Sequence, residues 1–155
     1  MNGAHWHLVF NHLPIVFPIV GVTVLITGII SKSEAVKRTG LMIFVLGAFA
    51  AMAAMATGEG AEEVAEKISG VTENDIKNHE EIAESFALLA YVLGGVSALG
   101  LWASFKGKSF ASMVSNGALV LAFIVLYFGR QTGTTGGEIR HSEIRKGYLP
   151  PAGDK

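Results

Sequence analysis

The chain of 155 residues contains no cysteine. This absence excludes a disulfide framework, a thiolate zinc site, an iron–sulfur cluster and a covalently attached c-type haem. Charge is also scarce, because Asp, Glu, Lys and Arg make up 16% of the residues, against roughly a quarter in soluble domains. Half of the residues are apolar, and the mean hydropathy is +0.45. The composition excludes an ordinary soluble globule, and any metal or haem site must use histidine, methionine, tyrosine or carboxylate ligands.

The apolar residues gather into four blocks, each close to the ~20 residues that cross a bilayer as a helix. No lysine or arginine precedes Lys32, so the first block lacks the basic flank of a signal peptide and is expected to stay in the protein. We predict an all-α, integral membrane four-helix bundle that forms a single membrane domain over residues 1–155. The predicted spans are residues 11–30, 40–57, 85–104 and 110–129, with helices two and three extending beyond the membrane, an acidic connection at 58–84 and a polar tail at 130–155.

Four spans place both termini on the same side of the membrane, together with the connection 58–84. We name this side A, and the side of the two short connections, 31–39 and 105–109, side B. Against the single acid Glu34, side B carries Lys32, Lys37, Arg38, Lys106 and Lys108. The connection on side A carries nine acidic residues and two lysines. The positive-inside rule therefore predicts a multi-pass protein of the inner (cytoplasmic) membrane with side A facing the periplasm. The basic tail (Arg130, Arg140, Arg145, Lys146) opposes this rule, and we interpret it as an electrostatic partner of the acidic connection.

Small residues recur where the predicted helices should touch, in segment 47–56 of helix two and at Gly94, Gly95, Ala98 and Gly100 of helix three. In lipid, such residues allow the close backbone approach that van der Waals packing requires. They would also leave room for a flat macrocycle, so the pattern is compatible with simple helix packing and with a cofactor slot.

Local signals predict where the helices begin and end. Asn78 and Glu81 form a box-like start for helix three, which places His79 in its first turn. Pro18 is expected to kink helix one. Residues 61–67 are good helix formers, so helix two is expected to continue past Glu59 to about Lys67. The Gly-Thr-Thr-Gly-Gly segment at 133–137 is not a phosphate loop and is interpreted as a helix stop and turn.

All five histidines fall on side A: His5, His7, His12, His79 and His141. Imidazole is the commonest metal and haem ligand, so a histidine cluster at one end of a bundle is a candidate ligand site. The alternative for each is an interfacial residue without a ligand. On a continuous helix His7 and His12 would lie about 140° apart, too far around to share one metal readily. We expect His12 and His79 to face each other in the bundle interior.

Carboxylates accompany the histidines. Glu59, Glu62, Glu63 and Glu66 form one helical stripe, which is either a solvated face or a cation site, and Glu59 lies nearest the membrane edge. Glu138 and His141 have the i, i+3 spacing used in carboxylate-bridged metal sites. Glu59 and Glu138 are therefore candidate metal ligands beside the histidines.

The segment His7-Leu-Val-Phe-Asn-His12-Leu-Pro14 resembles the opening of a bacterial four-helix membrane family, formally a domain of unknown function, whose members begin His-Pro-x-x-Val-His-Phe-Pro. The resemblance continues through Thr57-Gly58 at the end of helix two, His79 at the start of helix three, and Gly136-Gly137 before His141. Leu8 replaces the first proline, the Gly-Gly to His spacing is shorter, and the acidic connection is long for the family. Members are suspected of binding b-type haem through these histidines, so the resemblance implies a small membrane cytochrome.

Three functions follow as hypotheses. The first is a membrane b-type cytochrome-like electron carrier, in which His12 and His79 ligate one haem b and His7 with His141 could hold a second. The second is a metal-dependent membrane enzyme, in which histidines with Glu59 or Glu138 bind zinc or iron. The third is a non-catalytic subunit of a larger membrane complex. The expected partners are the lipid bilayer and a redox partner or larger membrane complex, with a second copy of the chain as an alternative, and no nucleic acid is expected.

Overall fold

The structure, a computed structural model, describes residues 3–145 and 147–148 of the chain. Within this part every regular element is helical and no strand occurs. The α-helices are α1 (Gly3–Phe10), α2 (Leu13–Ile30), α3 (Glu34–Ala56), α4 (Gly58–Ala65), α5 (Glu73–Phe105) and α6 (Ala111–Arg140). A short 3-10 turn, Ser142–Ile144, follows α6.

Four helical segments are long and apolar enough to cross a membrane: Gly3–Ile30, which joins α1 and α2, and then α3, α5 and α6. The protein is thus a multi-pass membrane protein with an all-α four-helix fold, as the sequence predicts. Around the bundle α2 packs on α3, α3 on α5, α5 on α6, and α6 back on α2. Short connections at 31–33 and 106–110 make the sequential pairs antiparallel, so Gly3 and Arg140 lie towards the same end of the bundle.

Large apolar side chains cover the outside of the bundle and small residues fill much of its interior. Val92, Val120 and Phe123 are exposed, as suits a surface that faces lipid. Glycines bring the helices close: a Cβ on Gly40 of α3 would lie 2.8 Å from the Cβ of Leu25 on α2. The side chains at the centre are Leu25, Leu41, Phe44, Leu93 and Val125. In the small-residue pattern, Gly94 packs against Ala48 of α3 and Gly100 against Leu41, as helix packing requires, whereas Gly95 has open space around it.

The first membrane segment has a break that the sequence does not predict. The break falls at Asn11 and His12, between α1 and α2, and α2 continues through the buried Pro18. Pro14 stands in the first turn of α2, where its missing N–H leaves no intrahelical bond unmade. α2 begins at Leu13, close to the predicted start near Asn11, whereas the helix before it, α1, is not predicted.

The start of α5 also differs from the expectation. The capping box consists of Thr72 and Asp75, since Asp75 N–H donates to Thr72 Oγ1 at 3.2 Å and Thr72 N–H donates to the Asp75 carboxylate at 3.1 Å. The box around Asn78 is therefore wrong, because an earlier and complete capping pair nucleates the helix. His79 consequently lies in the second turn of α5.

Two further segments correct the sequence interpretation. The predicted extension of helix two is helical but forms a separate helix, α4, after a turn at Thr57. Residues 133–137 are not a stop: they lie inside α6, which continues to Arg140. Packing of the glycines against His79 and Ile15 stabilises a helix that their propensity disfavours. Lys146 and the tail beyond residue 148 lie outside the described residues.

Candidate functional site

His7, on α1, is anchored through one ring nitrogen. Its Nδ1 lies 3.1 Å from the carbonyl oxygen of Ala54 and 3.3 Å from Thr57 Oγ1. A carbonyl oxygen can only accept, so Nδ1 carries the proton and donates. The Thr57 hydroxyl in turn donates to the carbonyls of Ala53 and Ala54 at the end of α3. This arrangement leaves Nε2 of His7 with its lone pair.

His79, on α5, is held in the same way by α6. Its Nδ1 lies 3.0 Å from Thr135 Oγ1. The Thr135 hydroxyl is within donating distance of the carbonyls of Gln131 (3.2 Å) and Thr132 (3.3 Å), so its oxygen is placed to accept from the imidazole. With the hydroxyl donating to one of these carbonyls, Nδ1 of His79 carries the proton and Nε2 is the basic nitrogen, the tautomer of metal-binding histidines whose other nitrogen is fixed by a neighbour. The Thr132 backbone also forms a hydrogen bond with His79, so α6 holds this ring through two residues.

A glycine on α6 makes room for the His79 ring. A Cβ on Gly136 would lie 2.9 Å from His79 Cε1 and 3.4 Å from both ring nitrogens. Real Cβ atoms essentially never come so close, so only glycine lets α6 pack flat against this imidazole. The helical path of residues 133–137 thus shapes the site.

The structure places the half-buried imidazoles of His79 and His7 in the same region of the bundle, where they interact electrostatically. His12 interacts with His7 in this way but is exposed, at the break between α1 and α2. The expectation that His12 faces the interior opposite His79 is therefore wrong, because α1 begins earlier and presents His7 to the bundle.

Asn11 adds a polar atom to the same helix face. Its N–H donates to the His7 carbonyl, one turn earlier, at 2.8 Å. Ile15, one turn later, reaches α6, where its Cδ1 is 3.5 Å from the position of a Cβ on Gly133. Oδ1 of Asn11 is buried and has no hydrogen-bond partner among the described residues. An unsatisfied buried acceptor is costly, so a bound group that donates to it would be favoured.

The remaining candidates lie apart from this pair. His141 is exposed at the end of α6, and its Nδ1 is 2.9 Å from Glu143 Oε1. Two hydrogen bonds lower the pKa of Glu143: the larger effect comes from its own backbone N–H and the smaller from His141. The interaction partner that the structure gives His141 is thus Glu143 rather than His7. His5 is exposed and contacts Trp6 edge to face.

The carboxylates form no ligand cluster with the histidines. Glu59 is exposed on α4, and Glu138 accepts through its backbone carbonyl from Arg145 Nε at 2.7 Å. Glu62 of α4 shares a hydrogen bond with Glu80 of α5, which raises the pKa of Glu62 together with the repulsion between the two charges. Among residues 3–145, 147 and 148, no three His, Asp or Glu side chains converge in a way that could hold a metal ion.

The sequence assigns no role at the site to Asn11, Thr57, Thr135 or Gly136, although Thr57 and Gly136 lie in motifs of the family resemblance. Thr132 and Thr135, at i, i+3, would have marked one helix face if residues 133–137 had been interpreted as helix. Nothing in the local sequence indicates that Gly136 supports a histidine from another helix.

No family model, curated protein or solved structure matches the chain.

Proposed function

We propose that the protein is a membrane electron carrier of the b-type cytochrome class, in which the imidazoles of His7 and His79 would hold a haem iron. One observation carries the proposal: both imidazoles have Nδ1 fixed by a hydrogen bond and Nε2 left basic, and they come from two different helices of the bundle.

The donor set fits this group in type and number. A b-type haem with two axial histidines needs only two protein ligands, since the macrocycle supplies the other four nitrogens. A structural or catalytic zinc site needs three or four protein ligands. The described residues offer a pair of histidines and no cluster of three ligands, which favours haem over the metal-dependent enzyme. The unpaired Oδ1 of Asn11, one turn from His7, is a further acceptor that a bound group could engage.

Neighbouring residues orient the two imidazoles and make room for them. The Ala54 carbonyl and Thr135 hydroxyl orient the two rings and increase the basicity of Nε2. Gly136 permits the His79 ring to lie against α6. When bound, haem with both axial positions filled supplies one-electron transfer rather than oxygen chemistry. The charge asymmetry of the connections supports a location of this pair on the periplasmic side of the inner membrane.

The test is a visible spectrum of the full-length protein, purified from cells supplied with haem precursor, before and after reduction with dithionite. We expect a Soret band and sharp reduced alpha and beta bands. His7→Ala and His79→Ala should each remove most of this absorbance, while helix content by circular dichroism is unchanged.

His12→Ala and His141→Ala are the matched controls, because both residues are exposed histidines on side A. They should retain the spectrum. A colourless wild-type protein would overturn the proposal. Loss of the spectrum in His12→Ala with retention in His7→Ala would restore the pair that the sequence first indicated.

A further inference from the structure

A second polar site lies at the opposite end of the bundle, on side B. A cavity of about 190 Å³ opens between the end of α2, the start of α3 and the start of α6. The volume exceeds the ~30 Å³ share of one water in the liquid several times over. Its lining residues are Ile29, Lys32, Glu34, Lys37, Ser112, Ser115 and Asn116.

The charge around this cavity is positive. Lys37 is ion-paired with Glu34, and its side chain is only 14% exposed. The same carboxylate also accepts from Ser104 Oγ at 3.3 Å and is stabilised by Arg38. Lys32, by contrast, has no ion pair among the described residues. In the lining of the cavity, one carboxylate therefore stands against two lysines.

The cavity also offers uncharged hydrogen-bond donors. Ser112 and Asn116 line it from the first two turns of α6, a helix whose N-terminus has no side-chain cap. N–H groups in the first turn of a helix favour a negative charge nearby. The lysines supply most of the attraction for an anion, and the N-terminus of α6 adds to it.

The surroundings place the cavity at the depth of lipid headgroups. Trp102, Phe105 and Phe110 are exposed at the same end of the bundle, where aromatic side chains typically mark the membrane–water interface. Lys108 lies over the Trp102 ring, 5.8 Å from its centroid. Basic pockets between transmembrane helices at this depth are suited to anionic headgroups.

We infer that the cavity between α2, α3 and α6 binds a phosphate group, with Lys32 and Lys37 as cationic partners and Ser112 and Asn116 as hydrogen-bond donors. The phosphate comes from an acidic phospholipid headgroup or from free phosphate. The site is separate from the histidine pair, so the inference does not depend on haem binding.

The test is a titration of the ¹⁵N-labelled full-length protein in nanodiscs, followed through the amide signals of Lys32, Ser112 and Asn116. One series increases phosphatidylglycerol in a phosphatidylcholine bilayer, and the other adds inorganic phosphate to phosphatidylcholine discs. We expect saturable shifts at these amides. Shifts with phosphatidylglycerol alone identify the lipid as the source, and shifts with inorganic phosphate identify the free anion.

Lys32→Gln should weaken binding about fivefold, in line with the usual contribution of one lysine near an anionic membrane surface. Lys106→Gln is the matched control, since Lys106 is an exposed lysine on side B that does not line the cavity. Asn116→Leu should weaken binding without any change in charge. An absence of shifts in both series, or equal weakening by Lys32→Gln and Lys106→Gln, would overturn the inference, because it would reduce the effect to general surface charge.

Discussion

The imidazole of His79 on α5 lies directly against Gly136 on α6, so close that a Cβ at residue 136 would be 2.9 Å from His79 Cε1. The glycine and the histidine are far apart in the chain, and each explains the other. Glycine has a low helix propensity. Gly136 is nevertheless helical, because the His79 ring occupies the space that a side chain at this residue would need. His79 keeps its orientation because α6 can approach it.

Gly136→Ala should therefore displace the His79 ring. Alanine is intrinsically better than glycine in a helix by about 1 kcal/mol, so the helix itself is not weakened. We expect a shift of the His79 Cε1–Hε1 NMR signal and reduced haem retention. Gly117→Ala, on the same helix but with open space around it, is the control and should stabilise the protein by about 0.5–1 kcal/mol without moving that signal. An unchanged His79 signal in Gly136→Ala would contradict this packing.

Thr135→Val tests the hydrogen bond that fixes the His79 tautomer. Valine keeps the shape but removes the acceptor for Nδ1–H, so the proton is no longer held on that nitrogen. Loss of such a partner typically lowers metal affinity about 10–100-fold. Haem titration of the purified variant should show this loss, and ¹⁵N NMR should show a mixed tautomer. Thr134→Val, whose exposed hydroxyl only donates to the Arg130 carbonyl, should behave as wild type. Equal affinities in the two variants would remove the assigned role from Thr135.

Arg38 joins the start of α3 to the end of α5. Its Nε donates to Ser104 Oγ at 2.8 Å, its Nη2 donates to the Ser104 carbonyl at 2.9 Å, and its guanidinium lies 4.4 Å from the Phe105 ring centroid. A lysine amine cannot make both hydrogen bonds and the ring contact in the way that the planar guanidinium does. Arg38→Lys should therefore lower the free energy of unfolding by about 1–3 kcal/mol. Denaturant unfolding in mixed micelles, followed by circular dichroism, measures the change. Lys106→Ala, at an exposed position nearby, should have an effect within about 0.5 kcal/mol. A similar small effect for Arg38→Lys would show that the contacts contribute little.

The Glu62–Glu80 contact makes the link between α4 and α5 sensitive to pH. Contact with Glu80 raises the folded-state pKa of Glu62 above its ordinary value of 4.5. The folded state then binds more protons than the unfolded state, so this contact loses stability as the pH rises through the window above 4.5. Hydrogen exchange of the α4 amides should report greater local opening at pH 7 than at pH 4, after correction for the intrinsic rate. Glu62→Gln should abolish most of this difference, whereas Glu63→Gln, outside the contact, should preserve it. A pH response that survives in Glu62→Gln would assign it to another group.

Sequence alone determined the architecture of this protein. Four blocks of bilayer length require helices, because a backbone in lipid must satisfy its hydrogen bonds internally. The histidine-rich side was also evident, since four crossings assign each connection to one side of the membrane. These conclusions depend on composition and local periodicity, which are properties of single segments and need no contact between helices.

Only the tertiary structure decided which residues form the site. Local signals placed His12 and His79 at helix starts, but α1 begins at Gly3 and α5 at Glu73, and these shifts bring His7 to His79 instead. The helical path of 133–137 was decided in the same way. The low helix propensity of glycine predicts that the helix ends there, whereas packing against the His79 ring stabilises the helix. The physical reason is that helix starts and glycine tolerance depend on contacts with other helices, and those contacts exist only in the assembled bundle.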